Sequence, residues 1–563
     1  MPAWRRFRDT YLTIDTRSLG LFRIGFGLVL FHDLFRRWIE LNFWYTNEGL
    51  LPNHTLLWRP PAKYLFSLFF TVSTELEAHI AFALCGLVYL MFLVGWWTRG
   101  AQLMVLIARV SLNSRIAVLE NGGDMVVDLL CLLTLPLPLG ARFSLDTVRM
   151  SADEKAATQD KPGTIDADSP LDEASPRQPG HTTVRSLAVL GLLLQFAVIY
   201  FFNAISKGGS AWRDGTAVHF ALHQDKFATW LGVWMRESWP APVLRTLTHA
   251  VLATEWLGVI LILSPVLVSQ TRLLAVCVMP LLHLGFGLGL NLGSFSPAMM
   301  SFYPLLLTRE NWEELSRQAR RASTAGSGAL RALLTCKGHI AHAATRAVSR
   351  FSPPPIKPAS ARQYWFMEAA TFVVLLAIGS EVLRDNRSVP EVLRLPQPAW
   401  ARAIIDYPRI LQGWRMFAPE PPREEGMIYV DAVTQRGAHV DPYNEVASDQ
   451  PFPAGRVVPR HMGQSHFFVM YSDRIANVNY AAYRQAFEEW LLRYPERTGK
   501  PEDCLVSYEV YWVLDESPPF GSTNPKPREH KRFMTYRAPA GGPCRQEART
   551  GKPGTGSPTV PAR

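Results

Sequence analysis

Hydrophobic and polar positions divide the chain into two regimes. Up to about residue 382 long apolar runs recur, and beyond about 385 the sequence is mixed, with short alternating stretches. A membrane-crossing helix needs about 20 mostly apolar residues to span a hydrocarbon core about 30 Å thick. Segments 19–38, 79–97, 101–117, 124–139, 184–206, 248–268, 271–291, 294–308 and 363–382 meet or approach that length. The 294–308 stretch is short and carries Pro297 and Pro304, so it predicts a tilted or re-entrant segment. Arg23 interrupts the first run and no small-residue cleavage site follows it, so 19–38 reads as a retained helix. Further on, MIYVDAV and LVSYEVYWVL alternate as strands do, and FEEWLLRY reads as a short helix.

The pattern predicts a polytopic α-helical membrane protein of about 8–9 transmembrane helices, with a C-terminal extracytoplasmic domain that is α+β or mostly-β. Residues 1–310 form the membrane part, 311–362 a basic cytoplasmic linker, and 363–384 the last span. Residues 385–563 form the exported domain, with a Gly/Pro-rich disordered tail. Residues 150–182 read as a flexible Ser/Pro/Asp-rich loop, and 312–360 as a basic stretch along lipid headgroups or disordered.

Composition agrees: 48% of the 563 residues are hydrophobic and 19% charged, against about 25% charged in soluble domains. That excludes a disordered chain and argues against an ordinary cytosolic enzyme. The net charge of +10 sits mainly beside apolar segments, which argues for membrane orientation and against nucleic acid. Residues 308–362 hold ten Lys/Arg against three acidic residues, whereas 39–78 holds only Arg59 and Lys63. With nine crossings the Lys/Arg-rich loops fall on one side, which puts the N-terminus in the cytoplasm and the C-terminal domain outside. The 207–247 loop fits this least well. No two cysteines have the C-x-x-C spacing of a metal site. Cys504 and Cys544 fall in the exported region, where a disulfide is expected.

Ionisable residues inside apolar helices ask for an explanation, because burying them is expensive. Arg23, His32, Asp33, Arg109, Asp124, Asp128, Glu255 and His283 are of this kind, and most fall in the outer half of the expected bundle. Two readings follow: a cavity reached from outside or from the outer leaflet, or interhelical pairing such as Arg109 with Asp128 or Glu255. Lys207 closes an apolar helix and is followed by Gly208 and Gly209, expected to allow tight turns, and by Trp212, expected to anchor at the interface. A lysine at the mouth of an apolar cavity can serve as a base; one at a helix end can also simply snorkel. His219 and His223 share a helical face without a third ligand and read as surface histidines.

LFRIGFGLVLFHDLFRRW with FWYTNEGLLP, NSRIAVLENGGDMVVDLLCLLTLPLPLGARFSLD, KGGSAWRDGTAVHFAL and HLGFGLGLNLGSFSPAMMSFYPLLL occur in that order over residues 15–310. Together they resemble the HTTM family, the bacterial relatives of vitamin K-dependent γ-glutamyl carboxylase. QGWRMFAPEPPREEGMIYVDAV is similar to a W-x-MFAP stretch that follows the membrane part in bacterial members. The resemblance implies an integral protein of a bacterial inner membrane. It also implies quinol chemistry on reduced menaquinone or vitamin K hydroquinone, with an exported polypeptide as acceptor for carboxylation. Lys207, Trp212 and Gly215 match the motif around the family's base, so Lys207 is the expected catalytic base. Asp124, Asp128, Glu255 and His283 join Trp212 as candidates for lining the site, and no metal is expected. The histidine that supports carbanion formation in the animal enzyme is replaced by Gly122-Gly123-Asp124. A non-enzymatic alternative is a membrane module that binds a lipid, quinone or polypeptide and presents the exported domain. A secondary transporter fits less well, because no inverted pair of broken helices is visible.

Overall fold

The computed structural model describes residues 2–57, 65–148, 182–324, 360–448, 465–522, 528–540 and 544. The expected flexible loop at 150–182 and most of the basic linker at 312–360 lie outside them. Along the chain run α1 (Thr16–Ile39), α2 (Glu75–Val94), α3 (Thr98–Arg115), α4 (Gly122–Thr134) and α5 (Leu187–Ser206). Then come α6 (Ser210–Arg213), α7 (Ala217–Leu222), α8 (Trp230–Ser238), α9 (Ala241–Leu263), α10 (Val268–Gly289), α11 (Phe295–Phe302), α12 (Arg309–Thr324) and α13 (Ala361–Asp385). Their ends follow local chemistry. The Asp15 carboxylate accepts the Arg17 amide and caps α1, and Thr74 with Glu77 forms a reciprocal capping box at α2. Helix α2 stops at Gly95, at φ 71°, where the Arg23 guanidinium lies too close for any Cβ.

Among the described residues six helices, α1, α2, α5, α9, α10 and α13, are long and apolar enough to cross a membrane. The three other expected spans differ for physical reasons. Helix α3 carries Arg99, Arg109 and Arg115. Helix α4 has 13 residues, about 20 Å at 1.5 Å per residue, and α11 has eight. These shorter helices lie inside: nearly every side chain of α4 and α11 is buried. The long helices α2, α9, α10 and α13 leave about two thirds or more of their most apolar window uncovered, as helices facing lipid do.

Past α13 the chain builds a five-stranded antiparallel sheet from β3 (Glu424–Thr434), β4 (His439–Asp441), β5 (Val446–Ser448), β6 (Leu505–Glu516) and β7 (Glu529–Arg537), in the order β5-β4-β3-β6-β7. Strands β1 (Thr13–Asp15) and β2 (Thr183–Arg185) form a separate short ribbon. In the long β3/β6 ladder Tyr429 stands opposite Tyr511. Helix α14 (His466–Ala476) packs on β3, and α15 (Arg484–Leu492) is the helix expected at FEEWLLRY. Helix α14 also joins the sheet region to the helical part. Phe468 and Tyr471 pack against Trp44 at ring centroids 4.9 and 5.3 Å apart, and the Arg474 Nε–H donates to the Val118 carbonyl.

Cys504 and Cys544 are joined in a disulfide across 5.6 Å between Cα atoms. Mass spectrometry of unreduced protein is expected to find this pair as one cross-linked peptide; two free thiols would contradict it.

Candidate functional site

Charges buried among apolar helices are expensive unless paired. Two separate groups of ionisable residues are paired in this way, while the buried Arg23 stands outside both and donates to the Phe143 carbonyl. The first holds Arg37 and Arg109 against Asp33, Asp124 and Asp128. Arg37 contacts Asp33 at 2.8 Å and Asp124 at 2.5 Å. Arg109 is ion-paired with Asp33, and contacts Asp124 at 2.7 Å and Asp128 at 3.0 Å. The Tyr45 hydroxyl accepts from Arg37, Asn113 donates to Asp128, and Ser294 donates to Asp33. Asp124 also serves as the N-terminal capping-box partner of Asn121. All five charged groups are buried. Arg37 was not singled out from the sequence, although its i,i+4 spacing from Asp33 could have pointed to it.

The second group surrounds a cavity of about 360 Å³ whose wall includes Tyr200, Asn203, Lys207, Trp212, Glu255 and His283. Helix α5 ends at Lys207, whose Nζ donates to both carboxylate oxygens of Glu255 on α9, at 2.5 and 2.6 Å. The indole of Trp212 lies over the ammonium, 4.9 Å from Nζ to the ring centroid. His283 on α10 shares a hydrogen bond of 2.7 Å between Nε2 and the Tyr200 hydroxyl, which is also bonded to Tyr303. Of the candidate lining residues, Trp212, Glu255 and His283 therefore meet Lys207 at one cavity. Asp124 and Asp128 do not line it, because their carboxylates are committed to the two arginines. Glu255 is engaged by Lys207 rather than by Arg109.

Residues 412–420, the WRMFAPE stretch with its flanks, complete the wall. The Gln412 side-chain oxygen accepts from Trp414 Nε1 and Gln195 Nε2, each at 2.8 Å. Asn203 Oδ1 accepts the Met416 amide, and the Phe417 carbonyl accepts Trp212 Nε1–H at 2.9 Å. The Glu420 carboxylate accepts from the Ala211 amide and the Ser210 hydroxyl, each at 3.1 Å. Met416 and Phe417 line the cavity itself. This arrangement revises three expectations. Trp212 is buried against residues 412–420 and is not an interface anchor. Neither Gly208 nor Gly209 adopts a left-handed turn; a Cβ on Gly209 would collide with Glu420 and the Pro419 carbonyl. Gly215 is the glycine here with positive φ, at 76°.

His219 and His223 are not surface histidines either. His219 is buried, its Nε2 bonds the Pro518 carbonyl at 3.0 Å, and the two rings lie 4.1 Å apart. Burial lowers the His219 pKa and takes that of His223 down to about 4, so both are neutral at pH 7. Nearby, oxygens of Asp225, Glu425 and Asp515 lie within 4.8 Å of one another. Each already has a protein partner: Arg236 on Asp225, Arg528 on Asp515, and the Asp225 and Lys226 amides on Glu425.

Three outcomes are expected. Removing one arginine leaves buried carboxylates unpaired, so Arg109→Ala should destabilise the protein by about 3–5 kcal/mol, read from detergent-phase unfolding. Burial pushes the Glu425 carboxyl up to about 7 from an unfolded value of 4.5. Its contribution to stability is thus complete below pH 4.5 and is lost as pH rises through 7. The wild type should lose stability over that window relative to Glu425→Gln; parallel curves would contradict the assignment. Glu420→Ala should release the start of α6, and amine-labelling mass spectrometry should find Lys207 more reactive than in wild type.

No curated protein and no solved structure matches this chain. The family model of the HTTM domain matches residues 167–312, the stretch that contains α5 to α11 and both members of the Lys207–Glu255 pair.

Proposed function

We propose that the chain is a quinol-using membrane enzyme of the γ-carboxylase-like kind, with the Lys207–Glu255 pair as its base. The observation that carries this reading is a lysine paired with a single carboxylate on the wall of an otherwise apolar cavity. Such cavities suit flat apolar ligands oriented by a few polar groups. The resemblance of the Lys207, Trp212 and Gly215 stretch to the carboxylase motif supports the same assignment, as does the HTTM match.

A hydroquinone, reduced menaquinone or vitamin K hydroquinone, would supply a weakly acidic O–H and a ring that reacts with oxygen once deprotonated. The work of this chain is to hold and move the proton. In the pair, Nζ–H points at the Glu255 oxygens, so shifting one proton to Glu255 leaves a neutral amine beside a neutral acid. A poorly solvated cavity favours that shift, because separated charge is expensive there. The amine then takes the ligand proton, and Trp212 receives the renewed ammonium over its ring. Asp124 and Asp128 act by holding the helices together, not on the ligand. The exported segment 412–420 excludes water from the outer end. In this reading the chain sits in a bacterial inner membrane with its N-terminus in the cytoplasm. The Lys/Arg-rich loops and a disulfide suited to an oxidising compartment support that orientation. The polypeptide acceptor would approach from the exported side.

One observation favours a second, non-catalytic reading. The Lys207 ammonium donates to both Glu255 oxygens and is not a free base. The cavity would then bind a quinone or lipid and the exported domain would be presented to a partner.

Reconstitution with reduced menaquinone, oxygen, bicarbonate and a pool of glutamate-containing peptides separates the two. Mass spectrometry would follow quinone epoxide and peptide carboxylation. Lys207→Met and Glu255→Gln should each lower epoxide formation by about 10²–10⁴-fold, the usual contribution of a positioned base. Full turnover by folded Lys207→Met would overturn the catalytic role. Quinone held by the wild type without any turnover would favour the binding reading.

A further inference from the structure

The wall of the Lys207 cavity is not equally closed on all sides. Toward the exported region it is stopped by Trp212, Met416 and Phe417. Trp212 is buried and tied to the Phe417 carbonyl, and the loop after β6 covers the next turn, where Phe520 packs on His219 at 5.3 Å. On the side of α10 the same cavity reaches the outer surface. Leu281, Gly285 and Leu288 line it and are exposed, Leu281 by 65% and Leu288 by 50%. Their i, i+4, i+7 spacing makes them one stripe along a helix that is long and apolar enough to cross a membrane.

Glycine 285 marks the opening, because a Cβ built there meets nothing within 4 Å. Leu231 and Met235 of α8, Trp239 just beyond it, and Leu247 of α9 line the same cavity. Helix α8 also exposes Trp230 by 81% and Trp234 by 50%, the placement of tryptophans at a bilayer interface. An apolar opening flanked by exposed leucine and tryptophan faces lipid tails, not water.

We infer that the cavity is loaded sideways from the bilayer, through an opening between α8 and the Leu281–Gly285–Leu288 stripe of α10. Its ligand is accordingly a membrane-dissolved amphipath, with a polar head at Lys207 and Glu255 and an apolar tail that stays in this opening. The inference rests on the ligand-binding reading above and adds the route and the tail to it. A cavity of about 360 Å³ is at the small end of ligand pockets, so a long polyprenyl tail does not fit inside it and has to leave. The exposed α10 stripe marks where the wall is open. Water-soluble molecules arriving from the exported side meet the 412–420 segment instead.

The test uses the full chain in phosphatidylcholine–phosphatidylglycerol vesicles and two probes. One is a naphthoquinol without a tail; the other is the same head on a polyprenyl tail that carries a diazirine. Protection of Lys207 from amine labelling reports head binding, and peptide mapping of the photoadduct reports the tail. The expected adducts lie within 230–239 and 281–288. Gly285→Leu fills open space and exchanges glycine for a better helix former, so its unfolding midpoint should stay level or rise. It should nevertheless slow loading of the tailed probe by about tenfold or more. If the tailless probe protects Lys207 but adducts fall elsewhere, or Gly285→Leu loads at the wild-type rate, the sideways route is overturned and the binding reading stands. If neither probe protects Lys207, both fall together.

Discussion

A charge enclosed by apolar helices is expensive unless a partner lies within hydrogen-bond reach, and two sets of buried charges are organised by that cost. Lys207 takes Glu255, and Arg37 and Arg109 take Asp33, Asp124 and Asp128. The two sets have different consequences. The arginine network ties α1, α3 and α4 together with every carboxylate in contact with a guanidinium, and this suits it to packing. The lysine pair joins only α5 to α9 and stands on a cavity wall, which leaves it open to a ligand.

The same economy explains the mixture of helix lengths. Long helices with most of their apolar surface uncovered form the outer layer, while α4 and α11 are too short to cross and are covered on nearly every side. Short inner helices let polar side chains such as Asn121 and Ser294 reach the charged network from their ends. Met416 and Phe417, from residues 412–420, line the cavity between the longer helices. The stretch between α13 and the sheet is therefore part of the cavity's wall: the Trp212, Asn203 and Ser210 side chains are all bonded to it.

Much of this was legible in the chain. Apolar runs marked the six long helices, alternation marked β3 and β6, and the Lys207 to Trp212 stretch stood out by its residue types. What failed did so for a common reason, that local pattern does not report three-dimensional neighbours. Asp124 and Asp128 looked like companions of Lys207 because all were ionisable residues in apolar surroundings, yet their arginines lie on α1 and α3. Trp212 looked like an interface anchor because the segment that covers it arrives some 200 positions later, at Phe417. Tyr200 and Tyr303 raised no sequence signal, since a tyrosine in an apolar run is ordinary until its hydroxyl meets His283.

By itself the sequence determined the apolar helices of membrane-crossing length and their order, the β-rich end and the lysine on which a functional reading turns. These depend on hydrophobic periodicity and residue chemistry, both local properties. Only the tertiary structure decided which carboxylates Lys207, Arg37 and Arg109 take, which two apolar runs become short inner helices, and that residues 412–420 close the cavity. Those outcomes depend on which groups far apart in the chain come within about 3 Å of one another, the distance at which a hydrogen bond forms.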